Sequence, residues 1–298
     1  MSFASSDLKR AAPIFVIGRN RSGTKWLSNI LLNHTAVAGV QSEHKNGIAE
    51  TDVFGPMQRV VGDIRRAENY VAFVAIWSQT DFFRASGADA EMFLTCSPRP
   101  TTMFEAFRLL MEWVAARQGR PFWLQKTAAD DRSERILKHY PDARVVTIQR
   151  GLMGNLWSTL ANATRQQRDS SAIRSAIGYA LDEKNLARLQ RKGALAVRYE
   201  DLRNNTETET RRVCEALGLQ FEPDMIDVRF RPNTSFQGGE RVPLSARQIL
   251  AARLAYSVAR YFPISLLQAL RIVSQPRRVP LRRGMFGDIV RRYGIRDA

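Results

Sequence analysis

The sequence predicts an α/β fold in which a parallel central sheet is flanked by helices, and two observations carry that prediction. Four short apolar runs bounded by turn residues read as buried strands: Pro13–Gly18, Trp123–Lys126, Arg144–Gln149 and Ala194–Tyr199. Helical periodicity follows three of them, at Thr24–Asn33, Leu152–Arg165 and Thr206–Leu217. Alternation of this kind requires crossover connections, and crossovers give parallel pairing covered on both faces. Two more helices, Thr102–Ala116 and Ser133–Tyr140, precede the second and third strands, and Val37–Val40 reads as a short additional strand. At 298 residues the chain can bury a sizeable core. We read residues 1–298 as a single domain, with a helical insertion at about 48–120 and a basic tail at about 271–298.

Composition narrows the function classes. Apolar residues make up 44% and charged residues 25%, which is ordinary globular chemistry. Forty-five Lys and Arg against 29 Asp and Glu leave a net charge of +16, which attracts nucleic acid, anionic lipid or phosphate-rich small molecules. Eight arginines fall between Arg271 and Arg296, but aromatic interleaving is sparse and no nucleic-acid-binding signature occurs, so nucleic acid is not the expected partner. Cys96 and Cys214 lie far apart without metal-ligand spacing, which argues against a disulfide framework and fits a reducing compartment. His34, His44 and His139 do not cluster, so no metal is expected. Met1–Arg10 does not read as a signal peptide, and no run reaches the roughly 18 apolar residues of a spanning helix, so a cytoplasmic protein is expected. Leu250–Val273 admits two readings. It is an amphipathic stretch ahead of the arginine-rich tail, suited to peripheral contact with an anionic membrane, or it is a core helix pair broken at Pro263.

The segment IFVIGRNRSGTKWLSNIL runs from an apolar strand through a basic, glycine-containing loop into a helix. Unpartnered N–H groups and the helix dipole make such a junction an anion site. Gly18 and Gly23 let the backbone fold around a phosphate, Ser22 and Thr24 supply hydroxyls, and Arg21 supplies a cation. The loop is not a Walker loop. Gly18 and Gly23 have the right separation, but Thr24 occupies the lysine position, Lys25 the magnesium-binding hydroxyl position, and Trp26 follows. A second anion site is readable at Arg150, which closes a strand, and Ser158, eight residues later on the following helix.

Arg21-Ser22-Gly23-Thr24-Lys25-Trp26 resembles the 5′-phosphosulfate loop of sulfotransferases that use 3′-phosphoadenosine 5′-phosphosulfate (PAPS), usually Lys/Arg-Ser-Gly-Thr-Thr-Trp; Lys25 departs from that pattern. Arg150 and Ser158 have the spacing of the same family's 3′-phosphate motif, after a Tyr140-Pro141-Asp142-Ala143 lead-in similar to the family's Phe-Pro-Asp-Ala. Leu152 and Gly154 stand where the family has Pro and Asp. Tyr199-Glu200-Asp201 resembles the strand end whose tyrosine approaches adenine. Thr234-Ser235-Phe236 resembles the element that packs on the base, and Arg282-Arg283-Gly284 with Gly287-Asp288 resembles the loop closing over the 3′-phosphate. The resemblance covers Ile14–Leu32, Trp123–Leu219 and Asn233–Asp288.

What the resemblance implies is a P-loop nucleotide-binding-like sulfotransferase fold, and transfer of a sulfuryl group from PAPS to a hydroxyl or amine. The products are the sulfated acceptor and 3′,5′-adenosine bisphosphate, and no metal takes part. By resemblance Arg21 is the electrophilic cation, helped by Lys25, and Lys126 matches the Lys-Thr pair that precedes the catalytic His of cytosolic members. Ala128 stands where that His would be, which removes an imidazole base there. Another branch of the family uses a glutamate just after the first helix, so Glu43 is the first candidate for the base, His44 the second, and Asp130 or Asp131 a weaker one. The insertion holds Phe54, Tyr70, Phe73, Trp77, Phe82 and Phe83, which either wall an acceptor pocket suited to a carbohydrate or glycolipid or pack as ordinary core. The rival readings are an atypical P-loop kinase and a basic nucleic-acid- or membrane-binding protein.

Overall fold

The structure, a computed structural model, describes residues 10–43, 47–51, 53–54, 56–129, 132–165, 171–227 and 244–274. Along the chain run β1 (Ala12–Gly18), α1 (Thr24–Leu32), β2 (Val37–Ala38), β3 (Gln41–Ser42) and β4 (Gly47–Ile48). Four helices follow, α2 (Pro56–Val61), α3 (Ala67–Trp77), α4 (Asp81–Ser86) and α5 (Ala90–Thr95), and then α6 (Met103–Arg117). The second half contains β5 (Phe122–Ala128), α7 (Arg132–His139), β6 (Arg144–Gln149), α8 (Leu152–Arg165), α9 (Ala172–Arg191) and β7 (Leu195–Arg198). After these come α10 (Tyr199–Asn204), α11 (Thr206–Ala216), α12 (Ala246–Ala259) and α13 (Ile264–Ser274).

Five strands form one sheet in the order β2-β5-β1-β6-β7, and every pair in it is parallel. β1 is the middle strand. Gly18 at its end stands opposite Ala128 of β5 and Ile148 of β6, so the three strands finish level. The chain leaves β1 toward β2 and β5 on one side and toward β6 and β7 on the other. The switch point of the winding, where such sheets open a crevice, therefore lies at the loop that follows Gly18.

Alternating side chains of β1 feed two cores. Ile14 and Val16 join Leu124, Val146 and Ile148 under α1 and α11, while Phe15 and Ile17 join Trp123 and Tyr140 under α6 and α7. The insertion belongs to the second of these cores. All six of its singled-out aromatics are buried, with Trp77 stacked on Phe73 at 5.0 Å and edge-on to Phe83 at 5.1 Å. Of the two readings open for these rings, the structure selects core packing over a pocket wall. The reason is geometric: β5 can be reached from β2 only by carrying a helical layer across the sheet, and that layer needs its own apolar filling.

The expected strands and helices appear with ends shifted by a residue or two, and two points differ. The strand expected through Tyr199 stops at Arg198, and Tyr199 opens α10 instead. α9, the longest helix described, was not anticipated; Ser171 caps it by accepting from the Arg174 N–H. The Leu250–Val273 stretch is a helix pair broken at Pro263, with Ala252 and Ala259 buried toward α8 and α9. His44, Asp130, Asp131, Thr234, Ser235, Phe236, Arg282, Arg283 and Gly284 lie outside the described residues. Among those described, no helix is long and apolar enough to cross a membrane.

Phe73→Ala should therefore cost about 3–5 kcal/mol of unfolding free energy in a urea titration, as a truncated core ring does. A ring that only walled a pocket would leave the urea midpoint where it was.

Candidate functional site

The loop between β1 and α1 is shaped by two left-handed residues. Arg21 (φ 71°) is the one non-glycine with positive φ among the described residues, and Gly23 (φ 91°) forms the N-cap of α1. A Cβ on Gly23 would come within 2.6 Å of Cδ2 of Tyr199, so a side chain is excluded there on both counts. With glycine as N-cap, α1 has no side-chain cap, and no acidic residue lies in its first turn. Its first amides and the positive end of its dipole thus face the loop without a built-in acceptor, which is the arrangement that binds an anion.

Cations and neutral groups are layered. Arg21, Lys25 and Arg150 are partly exposed, while Ser22, Thr24, Trp26, Ser158 and Tyr199 are buried beneath them. Arg21 Nε donates to Ser158 Oγ at 3.1 Å, which joins the loop to α8. On the other side of Gly23, the guanidinium of Arg150 lies 4.5 Å from the centre of the Tyr199 ring, and Trp26 meets the same ring edge-on at 6.0 Å. Tyr199 therefore lies between the two predicted anion sites, against Gly23 of one and Arg150 of the other. Gly154 explains how Arg150 reaches that position: a Cβ there would meet Arg150 Nε at 2.8 Å. The departure from the expected acidic residue at 154 thus makes room for the guanidinium.

Three bracing residues escaped the sequence reading. Arg19 turns inward, its Nε donating to Asn155 Oδ1 at 2.8 Å and its Nη2 to the carbonyl of Ser175 at 3.1 Å, and Nη1 pairs with the buried carboxylate of Asp182. Asn155 is fully buried and donates from Nδ2 to the Asn20 carbonyl at 2.9 Å and to Ser22 Oγ at 3.0 Å. Asn155 had a legible signal, since it lies three residues before Ser158 and so on the same face of a helix. Asp182 had none, because α9 itself was missed.

The end of β6 is held by a second network. Tyr179 donates to the Arg150 carbonyl at 2.7 Å, and Gln149 donates to Tyr179 Oη and to Glu183, both at 3.0 Å. Tyr256 of α12 donates to the other oxygen of Glu183 at 2.8 Å. Burial, with Glu183 as acceptor, pushes the Tyr256 phenol up to about 12, and burial likewise pushes Tyr179 up. Both phenols thus stay protonated and donating at neutral pH. Glu200 Oε1 accepts from the Gly151 N–H at 3.0 Å and ties α10 to the same turn.

Lys126 is buried on β5, and its Nζ pairs with Glu50 Oε1 at 2.7 Å. Glu50 follows the β3–β4 hairpin, which is fastened to α1 where Asn29 Oδ1 accepts from the Ile48 N–H at 3.0 Å. Glu43 is exposed on that hairpin, just after β3. One small antiparallel unit, paired Gln41 to Ile48, thus carries Glu43 and ends beside the partner of Lys126.

The family model described as "Sulfotransferase family" matches residues 13–223, well over half of the chain. The chain belongs to the sulfotransferase family. Among solved structures it is similar to the sulfotransferase domain of the olefin synthase from Synechococcus PCC 7002, at 18% identity and a TM-score of 0.50, covering 86% of this chain and 98% of that one. It is also similar to a sulfotransferase domain from the curacin biosynthetic pathway, at 15% identity and TM-score 0.47, covering 95% and 98%. A Mycobacterium tuberculosis H37Rv sulfotransferase aligns at 12% identity and TM-score 0.47, covering 90% and 78%. No curated protein matches the sequence. The parallel sheet with its strand–loop–helix junction is the fold of this family.

Asp182→Ala should destabilise the protein by about 3–5 kcal/mol, because it leaves the Arg19 guanidinium buried without its carboxylate. Differential scanning calorimetry will show this as a lower melting temperature.

Proposed function

We propose that this sulfotransferase takes its sulfuryl group from PAPS and delivers it to a hydroxyl or amine of a carbohydrate or glycolipid acceptor. The observation that carries the donor assignment is the Tyr199 ring, shared between the Gly23 loop and Arg150. It supports two cationic hooks on one rim, as a nucleotide bearing phosphate groups at both its 3′ and 5′ ends requires.

In this reading the uncapped amides of α1 and the loop residues Arg21–Trp26 hold the 5′-phosphosulfate end. Arg150 and Ser158 hold the 3′-phosphate, and Thr234, Ser235, Phe236, Arg282, Arg283 and Gly284 complete the nucleotide's surroundings. Transfer breaks the bond between sulfur and the bridging oxygen and forms one between sulfur and the acceptor atom. Arg21, with Lys25 beside it, stabilises the negative charge that grows on the departing oxygen. Lys126, steadied by Glu50, supplies a further cation for the sulfuryl oxygens. The acceptor's proton passes to a carboxylate or imidazole, with Glu43, His44 and Asp130 as the candidates. The Arg21–Ser158 hydrogen bond joins the loop to α8, the helix that follows Arg150 and carries Ser158.

Thermal-shift titration tests the donor. 3′,5′-Adenosine bisphosphate should raise the melting temperature without added metal, and ATP with Mg²⁺ should do so less. Arg150→Ala should weaken 3′,5′-adenosine bisphosphate by about 10- to 100-fold, the worth of a charged hydrogen bond, while changing affinity for 5′-AMP little. Arg21→Ala should weaken both nucleotides. Equal losses of both nucleotides in Arg150→Ala would remove the 3′-phosphate assignment, and tighter binding of ATP would point to a kinase. Acceptor class is read from a product screen with PAPS against simple sugars, glycolipids and amines.

A further inference from the structure

α12 carries its side chains the wrong way round for a helix that serves only to cover a core. Its buried residues, facing α8 and α9, are small, Ala252 and Ala259, with Tyr256 reaching in beside them. Away from the protein it turns large ones: Leu250 is 60% exposed, Leu254 58% and Val258 54%, and Tyr261 in the turn beyond is 81% exposed. The first three recur every fourth residue, so they form a single ridge along one side of the helix. Tyr261 ends the ridge. Leu266 and Leu270 repeat the same spacing on the exposed side of α13. Isolated exposed leucines need no explanation, but a continuous ridge of them marks a surface with a partner.

Charge identifies that partner. Arg247, Arg253 and Arg260 are exposed on α12 and the turn that ends it; at 100° per residue Arg247 lies in line with the ridge and the other two lie along one side of it. From Leu244 to Ser274 there is no aspartate or glutamate. A second copy of this chain would bring arginines against arginines with no carboxylate of the face to pair them. An anionic lipid surface matches both parts, accepting the aliphatic ridge at the acyl boundary and the arginines at the headgroups.

We propose that the outward face of α12 is a docking surface for an anionic membrane. α12 packs on α9, which on another side holds Arg19 of the β1–α1 loop. The claim does not depend on the donor or acceptor assignment, because its readout is lipid binding and no turnover is measured.

Co-flotation of the full-length protein with vesicles tests it. Binding is expected to vesicles of phosphatidylcholine mixed with phosphatidylserine, to be much weaker with phosphatidylcholine alone, and to fall as salt is raised. The triple variant Leu250→Glu/Leu254→Glu/Val258→Glu should lose at least about 100-fold in vesicle partitioning. Each of Arg247→Gln, Arg253→Gln and Arg260→Gln should lose about five-fold. All six positions are exposed, so melting temperature and nucleotide-induced thermal shift should stay at wild-type values, which separates lost docking from lost folding. The proposal is overturned if wild-type protein fails to float with phosphatidylserine vesicles. It is equally overturned if the triple variant floats as well as wild type, since the arginine-rich tail alone would then carry binding. Light scattering that shows a dimer dissolved by the triple variant, without vesicle binding, would assign the ridge to a second copy of the chain instead.

Discussion

The inward turn of Arg19 sets the geometry of everything at the loop end of the sheet. A basic residue at the tip of β1 would ordinarily point at whatever the loop binds, yet this one is held by Asp182, Asn155 and the Ser175 carbonyl. Its charge is met inside the protein, so it acts as a rivet between the loop and α8 and α9. A pair this well hydrogen-bonded offsets the desolvation of its charges, whereas either partner alone would not. With Arg19 fixed at one end and Gly23 held against Tyr199 at the other, the intervening residues have little choice. Arg21 is pressed into a left-handed conformation that a side chain adopts only when its surroundings dictate it. The strain sits at the residue whose guanidinium reaches Ser158 and so joins the loop to α8.

Tyr199 performs the corresponding task on the far side. Its ring is too buried to be a surface recognition element alone, and it touches the three things that must keep a fixed spacing: Gly23, Trp26 and Arg150. A flat ring between a helix N-terminus and a guanidinium acts as a spacer. It sets the distance between the loop and the Arg150 guanidinium. Gly154 serves the same spacing by leaving the first turn of α8 open to Arg150.

Most of the fold was legible because buried parallel strands read as continuous apolar runs, and β1, β5 and β6 are of that kind. The end of the sheet at β7 was harder. Tyr199 and Leu202 keep the apolar pattern going after the strand has ended, so the transition into α10 left no mark in the periodicity. α9 went unread for a related reason: its inner face is built of alanine, glycine and polar residues such as Asp182 and Asn185, so an apolar-stripe criterion does not find it. The motif residues of the site were visible because glycine, arginine and serine at fixed offsets have few other uses. Of the residues that hold them, Asn155 shares a helix face with Ser158, but Arg19, Asp182 and Glu50 were not visible, since a brace is defined by a partner distant in sequence: 163 positions separate Arg19 from Asp182. The insertion was ambiguous in a different way. Aromatic abundance is the same signal whether the rings wall a pocket or fill a core, and only burial distinguishes the two.

α9 connects the loop end of the sheet to the outer helices. One side of it supplies Asp182, the Ser175 carbonyl, Tyr179 and Glu183 to the loop and the end of β6. Another side gives Ala176, Ala180 and Leu181 to α8, α12 and α13. Small residues on α9 and α12 allow the two helices a close approach, and the approach is close enough for Tyr256 to reach Glu183 across it. The polar path from Tyr256 through Glu183 and Gln149 to Tyr179 and the Arg150 carbonyl is hydrogen-bonded at every step, with Tyr179 buried and the others half-buried. Had α12 turned its leucines inward instead, the wider helix spacing would have broken that path and left Glu183 without its outer donor. The inverted placement of large and small residues on α12 thus answers two demands at once. It keeps α9 seated against α12, and it leaves an aliphatic ridge facing outward with arginines beside it.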